Sequence, residues 1–206
     1  MNDMTTTNLQ NPARRDFIVK TAAAGGGLAL GFNLHGLGGD ALAQAGATPE
    51  INAWVAIKPD DTVVIRIARS EMGQGTLTGL AQLVAEELDC DWNKVTTEHI
   101  NPGQSLARKR IWGDMSTGGS RGIRTSQDYV RRAGAAARMM LLQAAADDWK
   151  VPVGEVTVDK GVISHAASSR TTTYGKVAEA AAKLKAPELK TIKLRDPRQW
   201  KIAGKP

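Results

Sequence analysis

The sequence predicts an α+β fold, a two-layer α/β sandwich. Three observations lead there: two pairs of short β-branched runs with turn residues between them, a helical pattern after each pair, and a long alanine-rich helical stretch in mid-chain. Residues 51–57 and 63–68 form the first pair, joined by Lys58-Pro59-Asp60-Asp61, and they predict a hairpin. After Glu71-Met72-Gly73-Gln74-Gly75, the residues Leu77, Leu80, Ala81, Val84 and Leu88 recur at helical spacing, which predicts a helix over 76–88. A strand is expected over 95–100. Between 101 and 120, Pro102, Gly103, Gly113, Gly118 and Gly119 break every period, so that stretch is expected to be loop.

A long helix over 120–149 would carry Val130, Ala133, Ala137, Met140 and Ala144 on its buried stripe, and its alanines and Gly134 would let another backbone come close. Val156-Thr157-Val158 and Val162-Ile163-Ser164 around Lys160-Gly161 predict a second hairpin, and residues 174–184 a short helix. The stretch 190–206, with Asp196-Pro197 and Gly204, is expected to be an extended linker.

With 206 residues, 42% of them hydrophobic, the chain can bury one core or slightly more. The net charge of +6 is modest, and the first 43 residues cancel: Arg14, Arg15 and Lys20 stand against Asp3, Asp16 and Asp40. The surplus gathers in Arg108, Lys109, Arg110, Arg121 and Arg124, and in a C-terminal set from Lys183 to Lys205 that is expected to be a solvated face. Neither cluster interleaves basic residues with aromatic platforms, so nucleic acid is not expected as a partner. Cys90 is the single cysteine, which excludes an internal disulfide and a metal site built on cysteine spacing; it reads as a small buried hydrophobe. His35, His99 and His165 have no ligand spacing.

Residues 13–43 run from charged through apolar to small, ending in Ala41-Leu42-Ala43. This is the order of a secretory signal cleaved after Ala43, and Arg14-Arg15 followed by Phe17 resembles a twin-arginine signal. A periplasmic location is therefore expected. Gly25 to Gly27, Asn33 and His35 interrupt the apolar run, so an uncleaved leader would anchor only weakly to a membrane.

Two segments carry chemistry. Met72-Gly73-Gln74-Gly75-Thr76 places glycines on both sides of an amide side chain at a helix start, where backbone N–H groups would point at an anionic or hydrogen-bonding ligand. Gln74 can both donate and accept there. Taken alone, the segment is equally a structural turn. Ser116-Thr117-Gly118-Gly119-Ser120-Arg121 again leads a glycine loop into a helix, with hydroxyl caps and Arg121 and Arg124 suited to a phosphate; a capped helix with solvent-exposed arginines is the other reading.

Glu71 through Thr76, Ala81-Gln82-Leu83-Val84-Ala85-Glu86-Glu87-Leu88, Thr117 through Arg121, and Arg131-Arg132-Ala133-Gly134-Ala135-Ala136-Ala137-Arg138 together resemble the molybdopterin-binding region of xanthine oxidase family large subunits. Within that family, the isoquinoline and nicotinate oxidoreductases and aldehyde dehydrogenases are nearest. The likeness runs from about Ile51 to Pro206. It implies an incomplete piece of the molybdopterin-binding domain over 44–189, behind a signal over 1–43 and ahead of a linker over 190–206 toward a further domain. It implies that Gly73, Gln74 and Gly75 contact the pterin near molybdenum, and that Thr117, Gly118, Gly119, Ser120 and Arg121 hold the nucleotide tail, the cofactor being molybdopterin in its cytosine dinucleotide form.

The activity implied is hydroxylation of N-heterocycles or oxidation of aldehydes, with water supplying oxygen. Electrons would pass to iron–sulfur clusters in a separate small subunit and on to an acceptor, a cytochrome being one candidate. The partners implied are that small subunit, the remaining large-subunit domains and a small-molecule substrate. No residue of the chain matches the family's catalytic glutamate; Glu71, Glu86 and Glu87 read as surface or capping carboxylates. The chain alone is thus expected to be inactive, with the faces built on Leu77, Leu80 and Val84 and on Val130, Ala137 and Met140 left exposed. A non-catalytic cofactor-binding or assembly module and a remnant of a truncated gene are the alternatives.

Overall fold

The computed structural model describes residues 48–205. The chain divides into two units, Met1–Gly46 and Ala47–Pro206, and the described residues belong to the second. Arg14, Arg15, His35 and the expected cleavage site at 41–43 lie outside the described residues.

The first sheet has the order β1-β2-β3-β4, from β1 (Glu50–Asn52), β2 (Val55–Ile57), β3 (Val63–Ile67) and β4 (Val95–His99). The expected hairpin is present, with β2 antiparallel to β3 and Val55 opposite Ile65. The run 51–57 is not one strand, however. The Asn52 side chain accepts from the backbone amides of Trp54 and Val55, both at 3.0 Å, and this local turn folds β1 back onto β2. β3 alternates buried and half-buried residues along its length, as a one-sided strand must. It pairs in parallel with β4, and α1 (Thr76–Leu88) makes the crossover between them.

The second sheet is antiparallel, in the order β5 (Val156–Asp159), β6 (Val162–His165), β7 (Arg170–Thr173). Its first two strands are the expected hairpin. The third follows a 3-10 turn at Ala166–Ser168 and carries no apolar residue, so no hydrophobic pattern announces it.

Between 101 and 120 the chain is not all loop. Asn101 and Gln104 form a capping box with Pro102 in the first turn, and these start α2 (Pro102–Ala107). The long helix is divided into α3 (Arg121–Arg124) and α4 (Gln127–Trp149). α5 (Tyr174–Ala182) starts where Asp61, in the β2–β3 turn, accepts from the Gly175 amide at 2.8 Å.

α1 and α4 pack at very close range. A Cβ on Gly134 would lie 2.5 Å from the Val84 carbonyl oxygen, so only glycine admits this crossing. The helix faces expected to lie exposed are covered: Leu80, Val84, Val130, Ala137 and Met140 are at most 4% exposed, and Leu77 is half-buried. The two apolar stripes are each other's partner. Cys90 is buried, and burial pushes its thiol up to about 12. Among the described residues no helix is long and apolar enough to cross a membrane.

The tail from residue 190 does not run free as a linker. Glu86, expected at the surface, is buried and accepts from the backbone amides of Lys201, Ile202 and Ala203. Glu87 is fully buried, accepts both Arg131 Nε and Nη2, and takes the Arg195 amide at 3.0 Å. Asp89 pairs with Arg195 and Lys201, which withdraws the Arg195 guanidinium from the expected solvated face while Lys201 stays exposed. Tail and helix thus satisfy one another's polar groups in a buried setting, where unpaired ones would be costly.

Candidate functional site

β3 delivers Ala68, Arg69 and Ser70 to the start of the first glycine loop. Gly73 at φ 90° and Gly75 at φ 76° occupy the left-handed region, and this curls the loop back on Glu71. Glu71 Oε1 accepts from the amides of Gly73 (2.7 Å) and Gly75 (3.0 Å), and Oε2 accepts from Leu77 (2.8 Å). The Leu77 amide, with those of Gly75 and Gly73 behind it, holds the Glu71 carboxyl below the usual carboxylate range. These amides do not aim outward, contrary to expectation: the loop's own carboxylate takes them.

Gln74 is also engaged. Its Nε2 donates to the Ser70 carbonyl and to Thr76 Oγ, both at 2.8 Å, and its Oε1 accepts from the Met72 amide. Residues Met72 to Gly75 nevertheless lie on an open surface, and nothing stands within 4 Å of a Cβ placed on either glycine.

The second loop is arranged differently. Ser116 donates through N and Oγ to Asp114, and the Ser116 amide, its hydroxyl and Arg69 together hold that carboxyl at about 2. Thr117 Oγ donates to the Ser70 carbonyl at 2.6 Å. Ser120 sits at φ 55° and makes no side-chain cap, so the hydroxyls are not the helix caps the sequence suggested; those of Ser116 and Thr117 brace the loop instead. The amides of Thr117, Gly118, Gly119 and Ser120 find no acceptor among the described residues. Arg121 Nε and Arg124 Nη2 curl onto the carbonyls of Gly118 and Gly119. Four consecutive N–H groups beside two exposed guanidinium groups suit an anion.

The two loops meet at one atom: the Ser70 carbonyl oxygen accepts from both Gln74 and Thr117. The Ser70 amide and hydroxyl both donate to the Met115 carbonyl at 2.9 Å, which fixes the join. α3 then lies on the start of α1, where a Cβ on Gly122 would stand 2.8 Å from Thr76 Oγ. Seven of the eight sequence-nominated residues therefore lie on two touching loops, and the eighth, Arg121, opens α3 directly after the second.

Sequence reasoning passed over Arg69. It is 5% exposed and donates to Ser126 Oγ, Asp114 Oδ2, the Ser116 carbonyl and Thr125 Oγ, at 2.8–2.9 Å. The one signal available was a cation at the end of an alternating strand, directly before the glycine loop. His99 is exposed on β4 while His165 is buried against Ser168 and Glu155, and among the described residues no three His, Cys, Asp or Glu gather as metal ligands would.

A model of the molybdopterin cofactor-binding domain family matches residues 8–202. The chain belongs to that family. It is 36% identical over 182 residues to the beta subunit of isoquinoline 1-oxidoreductase from Brevundimonas diminuta, a match covering 85% of this chain and 22% of that protein. A membrane-bound aldehyde dehydrogenase of Gluconacetobacter polyoxogenes, whose name carries pyrroloquinoline quinone, is 30% identical over 157 residues, 74% of this chain and 19% of that one. A nicotinate dehydrogenase subunit of Pseudomonas putida is 31% identical over 123 residues, covering 57% and 10%. This molybdopterin cofactor-binding domain chain spans about a fifth of the first two relatives' length.

Proposed function

We propose that the chain is the cofactor-holding part of a molybdenum-dependent oxidoreductase. One observation supports this above the others: within a molybdopterin cofactor-binding domain, two glycine loops converge on Ser70, and one presents four consecutive amides, without acceptors among the described residues, next to Arg121 and Arg124. The residues present fit the group. A phosphate-bearing tail suits Thr117, Gly118, Gly119, Ser120 and Arg121 by charge and donor count. A polar heterocycle suits the open surface of Gly73, Gln74 and Gly75, with Gln74 able to donate and accept.

When bound, the cofactor supplies the two-electron redox chemistry, and the protein supplies binding, orientation and electrostatics. Gln74 turns between its internal partners and the ligand edge, and the amide run and guanidinium groups hold the anionic tail. The whole reaction is hydroxylation of an N-heterocycle of isoquinoline or nicotinate type, or oxidation of an aldehyde, with water as oxygen source. Electrons go to iron–sulfur clusters in a partner subunit and on to an acceptor such as a cytochrome. The cofactor is the cytosine dinucleotide form, and the assembled enzyme is periplasmic, exported through Arg14-Arg15.

The test is fractionation of the native host, followed by metal and nucleotide analysis of the protein purified with its neighbours. Molybdenum and a releasable cytidine nucleotide in the periplasmic fraction are expected, and Gln74→Ala should lower molybdenum content with the fold retained. A metal-free complex carrying pyrroloquinoline quinone would overturn the molybdenum reading. Cytoplasmic holoprotein would overturn the export reading.

A further inference from the structure

Arg69 is the buried cation that no part of the proposed function uses. Its planar fork reaches both ends of the second loop: Asp114 and Ser116 immediately before the amide run, and Thr125 and Ser126 immediately after α3. Ser126 is fully buried, so its Oγ meets Arg69 away from water. A lysine carries its three donors on one atom and cannot span both ends at once. The residue after Arg69 supplies the Ser70 carbonyl, whose two lone pairs are taken by Gln74 Nε2 and Thr117 Oγ. Gln74 in turn uses its Oε1 to hold the Met72 amide at 2.6 Å. A continuous set of hydrogen bonds therefore runs from the Thr117 hydroxyl in the second loop, through the Ser70 carbonyl and Gln74, to the backbone of the first.

We infer that Arg69 is a positioning residue that makes the two loops one unit, so that a phosphate-type anion on the amides of Thr117–Ser120 is felt at Gln74 and Met72. This rests on the reading of the second loop as an anion holder. Gln74 is folded onto Ser70 and Thr76; turning it out to solvent is the second arrangement the inference requires, since coupling needs such a two-state element. An anion that fixes Thr117 keeps the Ser70 carbonyl in place and, where no heterocycle edge draws Gln74 outward, favours the folded arrangement, which shields the Met72 amide.

Inorganic pyrophosphate added to the full 206-residue chain is the probe, with amide exchange followed residue by residue. In the wild type, exchange at 117–120 should slow directly, and exchange at Met72 should slow by about fivefold, the lower end of ordinary coupling between sites. Thr117→Val removes the hydroxyl, which is spent on the Ser70 carbonyl, and keeps both shape and the backbone amide by which this position would meet the anion; it should retain direct protection at 117–120 and lose the response at Met72. Arg69→Lys should weaken pyrophosphate binding itself, with exchange in α1 and α4 serving as the control for folding. If wild-type residues 117–120 gain no protection, the anion reading of the second loop fails. If they do, but Met72 is unmoved or responds equally in Thr117→Val, the coupling is overturned. Unchanged pyrophosphate affinity in Arg69→Lys overturns the role of Arg69, and a misfolded Arg69→Lys leaves the decision with Thr117→Val.

Discussion

At the N-terminal end of α1, Glu71 gathers the amides of Gly73, Gly75 and Leu77 at the solvent boundary. At the C-terminal end, Glu86 and Glu87 gather the amides of Arg195, Lys201, Ile202 and Ala203 while no more than 2% exposed. Both ends use carboxylates on backbone donors, and burial makes the difference. Where water has access, a lost carboxylate is replaced by solvent or by another anion. Where it has none, the donors are stranded and their desolvation is felt in full. The first end is therefore open to exchange, and the second is structural.

The largest expected effect comes from breaking the structural end. Glu87→Ala leaves the Arg131 guanidinium, 13% exposed in its side chain, without its buried partner. Stability should fall by about 3–5 kcal/mol, read as a shift of the urea midpoint at constant slope. A shift too small to measure would show that this end is as exchangeable as the other. Glu86→Ala should cost about 1–3 kcal/mol by unpairing three amides, and should raise hydrogen exchange at 201–203 well before global unfolding. Unchanged exchange there would remove Glu86 from the account.

The smallest effect is an acid titration at the exchangeable end. The folded state depresses the Glu71 pKa below its ordinary 4.5, so its contribution is present above that value and lost as pH falls through the lowered one. Protection of the Gly73 and Gly75 amides should persist at pH 5 and disappear only below the ordinary value. Asp114, held at about 2, should titrate later still. A Glu71 carboxyl titrating at or above 4.5 would mean that the loop does not keep its own carboxylate.

Local signals were legible in the sequence wherever the cause is local. α1 begins and ends where the apolar spacing puts it, the β5–β6 hairpin follows its Lys160-Gly161 turn, and Gly134 marks the tight helix crossing. The misses have distant causes. Thr125 and Ser126 fit a helical pattern, yet the chain breaks there, next to the Arg69 guanidinium supplied from 56 and 57 residues earlier. The tail looks like a linker because the acceptors that order it are Glu86 and Glu87, more than a hundred positions upstream. At the site, the glycines and Arg121 were readable as donors. That Glu71 would occupy one set of amides and leave the other free depends on how the loop closes, and no spacing rule contains that.

The separation between Glu87 and Arg195 also sets a clock. The Arg195 amide is made 108 residues after Glu87. At ordinary translation rates that is a delay on the order of 5–20 s. Within that interval Arg131 is made and can reach Glu87, while Glu86 and the remaining bond of Glu87 await backbone donors not yet made. The last turn of α1 therefore completes its hydrogen bonding only after residues 195–203 have been made.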